Sequence, residues 1–172
     1  AERVEEDTLR ARWLALFEKM EGVNDTCGVS EVEWHAVTNG VFEAEVPTLD
    51  EALRDALLKY QSCVTPMMDE LRALRDLEPN LGMLFDFEFL RKHQDVREGM
   101  SRLSWELRRA LWIGVTLDDP EGVVDIFTSL SYLAIYAPIG GGYFWNVGDS
   151  TNWSLLRPVI ASATLEEQRW AR

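Results

Sequence analysis

Apolar side chains recurring every three or four residues run through this chain, and that spacing commits it to helices. Leu9, Trp13, Leu16, Phe17 and Met20 define one face of a helix over residues 4–20, which ends at Gly22. Leu49, Leu53, Ala56, Leu57, Tyr60 and Val64 form a second stripe, opened by Thr48-x-x-Glu51 as a capping box. Thr65 followed by Pro66 reads as another N-cap with proline at the first helical position, so a separate helix is expected to restart there. Met100, Leu103, Leu107, Ala110 and Leu111 belong to a helix capped at Asp95 and ended at Gly114. Asp119 before Pro120 caps one more. Its Val123, Val124, Phe127, Leu130, Leu133 and Ile135 are apolar almost all round, the pattern of a buried central helix.

One segment breaks the helical period. Val32, Trp34 and Ala36 alternate with Glu33, His35 and Val37, and after Thr38-Asn39-Gly40 a second alternation sets Phe42, Ala44 and Val46 against Glu43 and Glu45. Ser30-x-x-Glu33 would serve as a capping box for a helix here, but the alternation favours a β-hairpin. A three-residue loop pairs Val37 with Val41, Trp34 with Ala44 and Val32 with Val46, placing the apolar side chains on one face. In that register Glu33 lies opposite Glu45 and His35 opposite Glu43. The expected fold class is therefore mostly α (α+β): a single helical domain over residues 1–172 with a small hairpin near 32–46. Leu81 to Leu90 remains open between strand and short helix.

Charge narrows the function. The chain has 172 residues, 17 basic and 30 acidic side chains, and a net charge of −13. Such a surface repels nucleic-acid phosphates and anionic lipid, so neither is expected as a partner. From Phe127 to Gly148 no side chain is charged, but Pro138 and Gly140 to Gly142 would leave backbone groups unsatisfied in a bilayer, so no membrane span is expected. From Met20 to Leu53 there are eight acidic residues and no Lys or Arg.

Catalytic groups are sparse. With only His35 and His93, no triad or histidine metal cluster has its parts, and neither metal, cofactor nor catalytic residue is expected. Gly140 to Gly142 lack the lysine and the spacing of a phosphate-binding loop. Cys27 and Cys63 read as two buried thiols, with one disulfide as the alternative in an exported chain. No leader peptide is visible, so a cytoplasmic location is expected, although a removed one would leave no trace. Among seven tryptophans, Trp105 and Trp112 lie seven apart on the helix face opposite Leu103 and Leu107, with Arg108 between them.

Together these features favour an acidic protein-binding or inhibitory module, of the immunity or antitoxin kind, that docks a basic partner protein. It is expected to be a monomer or weak homodimer. Its candidate binding residues are Glu31, Glu33, His35, Glu43 and Glu45 on the hairpin's polar face, with Trp105 and Trp112 next. The alternative is a small-molecule binder or enzyme with an aromatic-lined pocket closed by the Gly140 to Gly142 loop.

Overall fold

The structure, a computed structural model, describes residues 6–42, 48–77 and 84–136. The helices among them include α1 (Glu6–Glu21), α2 (Val23–Cys27), α3 (Glu31–Phe42), α4 (Glu51–Leu77), α5 (Phe87–Lys92), α6 (Gln94–Thr116) and α7 (Pro120–Tyr136). No strand occurs among the described residues.

The expected hairpin is replaced by α3. Ser30 and Glu33 form the capping box: the Ser30 amide donates to Glu33 Oε2 at 2.8 Å, and the Glu33 amide donates to Ser30 Oγ at 3.3 Å. Two otherwise orphaned backbone donors are thereby satisfied, and the helix propagates through the sequence that looked like a turn. Val32, expected on the buried face, is 80% exposed, whereas Val37 is fully buried. The alternation belongs to a helix, whose described side chains include a buried Val37 and a partly buried Trp34 and Ala36. Ala44 and Val46, the far half of the expected hairpin, lie outside the described residues, as does the Gly140 to Gly142 loop.

Two boundaries also differ. The N-cap of α4 is Asp50, whose Oδ1 accepts from the Leu53 amide at 2.8 Å, so the Thr48 box is not the start. At Pro66 α4 does not restart but runs unbroken for 27 residues. An interior proline costs about 3 kcal/mol. Burial of Val64, Met67, Met68, Leu71 and Leu74 around it offsets that cost, each large side chain contributing roughly 1.5–3 kcal/mol. Of the stretch left open from Leu81 to Leu90, residues 81–83 lie outside the described residues and Phe87 to Leu90 belong to α5, capped by Asp86 Oδ1 accepting from the Phe89 amide at 2.7 Å.

Among the described residues the helix with the most neighbours is α6. It packs against α1, α3, α4, α5 and α7, and from Ala110 to Thr116 every residue is buried. Asp119 caps α7 as its position suggests, Oδ1 accepting from the Gly122 amide at 3.1 Å. Cys27 and Cys63 are joined in a disulfide that ties the short α2 to the middle of α4, which corrects the reading of two thiols.

Candidate functional site

Where α1 crosses α6 the two backbones come unusually close, because residue 99 is glycine. A Cβ there would lie 2.6 Å from Cβ of Phe17, inside any tolerable contact. Phe17 is buried, and Glu21 follows it one turn later on the same side of α1. The close crossing thus brings Glu21, from the acidic stretch, to the flank of α6.

A groove of about 550 Å³ opens there. Glu21, Asp95 and Glu98 line it together with Arg102, Trp105 and Arg108. Arg102, Trp105 and Arg108 repeat at intervals of three along one face of α6. Trp105 is 55% exposed, a large apolar ring left facing solvent. Arg108 is half-buried. Its Nε is shut off from water without a hydrogen-bond partner, and burial pulls its guanidinium below the ordinary arginine value. Glu98 accepts from Gln94 Nε2 at 3.1 Å. Among the described residues no ion pair joins the three acids to the two arginines, although all five share one groove.

A second groove of about 320 Å³ lies between α4, α6 and α7. Its charged groups are already partnered: Arg72 Nη2 sits 2.7 Å from Asp125 Oδ2 and Arg72 Nη1 3.0 Å from Asp69, while Gln61 Nε2 donates to Asp119 Oδ2 at 2.8 Å. The seam is satisfied internally and offers a ligand little.

Buried where α4 meets α6 is a polar group that sequence reasoning missed. Glu106 is fully buried on α6, and the hydroxyl of Tyr60 on α4 donates to its Oε2 at 2.8 Å. Arg109 Nη1 stands 3.5 Å from Oε1, an ion pair without a hydrogen bond, and the same guanidinium lies 5.2 Å from the centre of the Trp34 ring. Burial, reinforced by the Glu106 charge, pushes the Tyr60 hydroxyl well above its ordinary pKa. With both Glu106 and Tyr60 closed to solvent, this arrangement locks α3, α4 and α6 together and does not present a reacting group. Nothing in the spacing of Tyr60 and Glu106, 46 residues apart, announces it.

The candidate residues separate. Glu31 and His35 are exposed on α3, and Glu33 is committed to the capping box. Glu43 and Glu45 lie outside the described residues. The expected placement of Glu33 opposite Glu45 across a hairpin is not found, since residue 33 is helical. Trp105 lines the groove, but Trp112 is 7% exposed and belongs to the core. The two share a helix face, yet by residue 112 every side of α6 is covered.

Among the described residues no helix is long and apolar enough to cross a membrane, and no cluster of three or more His, Cys, Asp or Glu side chains is arranged to hold a metal. Compared with protein-family models, curated proteins and solved structures, the chain shows no significant match to any.

Proposed function

We propose that this chain is a protein-binding module, inhibitory in kind, that docks a basic partner through the acidic surface running from the end of α1 to the start of α4. The observation that carries the reading is exposed acid in a stretch without a base. Glu6, Asp7, Glu70 and Asp125 each sit against an arginine. Glu21, Asp25, Glu31 and Glu51 are exposed and make no ion pair among the described residues, in a stretch that contains no Lys or Arg. Unneutralised charge of one sign steers a partner of the other and speeds association. Trp105, exposed beside Glu21, supplies the kind of aromatic anchor that dominates binding energy at protein interfaces. The disulfide favours an oxidising compartment over the cytoplasmic location expected from sequence.

The test is affinity capture from the source cells at low salt, with the wild-type chain and a Glu21→Lys, Asp25→Lys, Glu31→Lys variant as parallel baits. A stoichiometric basic protein held by the first, lost by the second and released by raising salt is the expected result. Identical recovery on both baits, or no basic protein on either, would remove the reading.

A further inference from the structure

We infer that the groove at the α1–α6 crossing is a socket for the carboxy-terminal end of a basic polypeptide: Arg108 takes the terminal carboxylate, Trp105 covers the last side chain, and Glu21, Asp95 and Glu98 take its cationic groups. The inference rests on the proposal that the partner is basic and specifies which part of it is read.

Both signs of charge stand unpaired in one groove, and that limits the ligand. A purely cationic segment would satisfy the three acids and leave Arg108 facing like charge. A purely anionic ligand would satisfy Arg108 and meet three carboxylates. A ligand carrying both signs a few ångströms apart answers each, and in a basic protein a carboxylate is certain to adjoin the last side chain only at the chain terminus. Arg108 suits that group: it lines the groove half-buried, and the planar fork of its guanidinium matches a carboxylate. The exposed Trp105 ring, three residues earlier on the same helix face, offers a surface on which a guanidinium or ammonium stacks favourably. The volume of about 550 Å³ falls within the range of sites that enclose ligands larger than one amino acid. That volume leaves room for a short terminal segment.

The measurement is calorimetric titration of the full chain, at low ionic strength, with acetyl-Gly-Ala-Lys-Arg bearing a free carboxylate, with the same peptide as its amide, and with free arginine. The free-acid peptide is expected to bind at least tenfold more tightly than the amide, and free arginine more weakly than either. Arg108→Gln should erase the difference between the two peptides, and Trp105→Ala should weaken both by about tenfold. Equal affinity of acid and amide overturns the terminal-carboxylate socket and leaves acidic docking standing. Free arginine matching the tetrapeptide overturns it in favour of a small-molecule site. Absence of binding by both peptides overturns the socket and counts against basic docking as well. The wild-type comparison of acid with amide decides the matter even where a variant fails to fold.

Discussion

Tyr60 donates its hydroxyl proton to a fully buried carboxylate, Glu106, across 2.8 Å and from a different helix. The bond ties α4 to α6 at a point neither could hold alone: an unpaired Glu106 would be a desolvated charge, and Arg109 reaches it without a hydrogen bond. Removing the hydroxyl with Tyr60→Phe should cost about 1–3 kcal/mol, read as a lower urea midpoint with unchanged slope. A Glu106→Gln variant should be less sensitive to the same change, because the charge that makes the bond valuable is gone.

The same hydroxyl gives the fold an alkaline limit. Its pKa is raised in the folded state, first by burial and then by the Glu106 charge, while the unfolded chain releases that proton near pH 10. The contribution is therefore whole below about pH 10 and falls above it by about 1.4 kcal/mol per pH unit. Stability measured from pH 8 to 11.5 should decline above 10 in the wild type. The decline should be shallower in Tyr60→Phe.

Gly99 sets the spacing between α1 and α6. Gly99→Ala would press its Cβ to 2.6 Å from that of Phe17, an atom fixed to the backbone, so the helices must part at a cost of about 1–3 kcal/mol. At Gly22 the nearest obstacle to a Cβ is the Lys19 carbonyl oxygen at 3.7 Å, and the residue is already in the right-handed helical region. Gly22→Ala should raise stability by about 0.4–1 kcal/mol. Thermal melts of the two variants should move in opposite directions, and the Gly99 variant should also disturb peptide binding in the groove.

Cys27 and Cys63 close a loop across 36 positions. On the chain-entropy account such a cross-link is worth about 4 kcal/mol, so treatment with a reductant, or a Cys27→Ser and Cys63→Ser double variant, should lower the melting midpoint by many degrees. An unchanged midpoint would mean that the cysteines stand unbonded.

Arg12 and Glu70 join α1 to α4 through two parallel bonds, Nε to Oε1 at 2.9 Å and Nη2 to Oε2 at 3.0 Å. The hydrogen bonds from Arg12 hold the Glu70 carboxyl below its ordinary value. Stability from this pair is therefore present above the unfolded carboxylate pKa, near 4.3, and disappears as pH falls through the lower folded value. Both side chains are about one-third exposed, and water weakens the pair accordingly. A double-mutant cycle with Arg12→Ala and Glu70→Ala should return a coupling of about 0.5–1 kcal/mol at pH 7, and almost none at pH 2.

Long helices announced themselves in the sequence because their buried stripes are regular: Leu9 to Met20, Leu53 to Val64 and Met100 to Leu111 are buried where the spacing put them. The hairpin reading failed at α3 because alternation over five or six residues also fits part of a helical stripe. Ser30 and Glu33 were the better signal, since a capping box satisfies donors that a strand would have to pair elsewhere. Pro66 misled for a related reason: its local cost is fixed, while the burial that outweighs it depends on α6 and α7, which a local reading does not include. Trp105 was legible as a surface residue, and Trp112 was not, because exposure along α6 depends on what covers its second half. The groove itself depends on the approach of Phe17 to Gly99. That contact joins residues far apart in sequence, and no periodicity reports it.

A further consequence of the bond between Cys27 and Cys63 concerns what happens when the backbone is cut. Any protease that nicks the chain between Gly28 and Ser62, at α3 or along the segment leading into α4, produces two fragments that remain covalently one molecule. Glu21 and Asp25 on one side of the cut and Glu51 on the other would stay attached to each other. In a protease-rich setting the molecule would survive a first cleavage as a two-chain protein, and only reduction would release its halves.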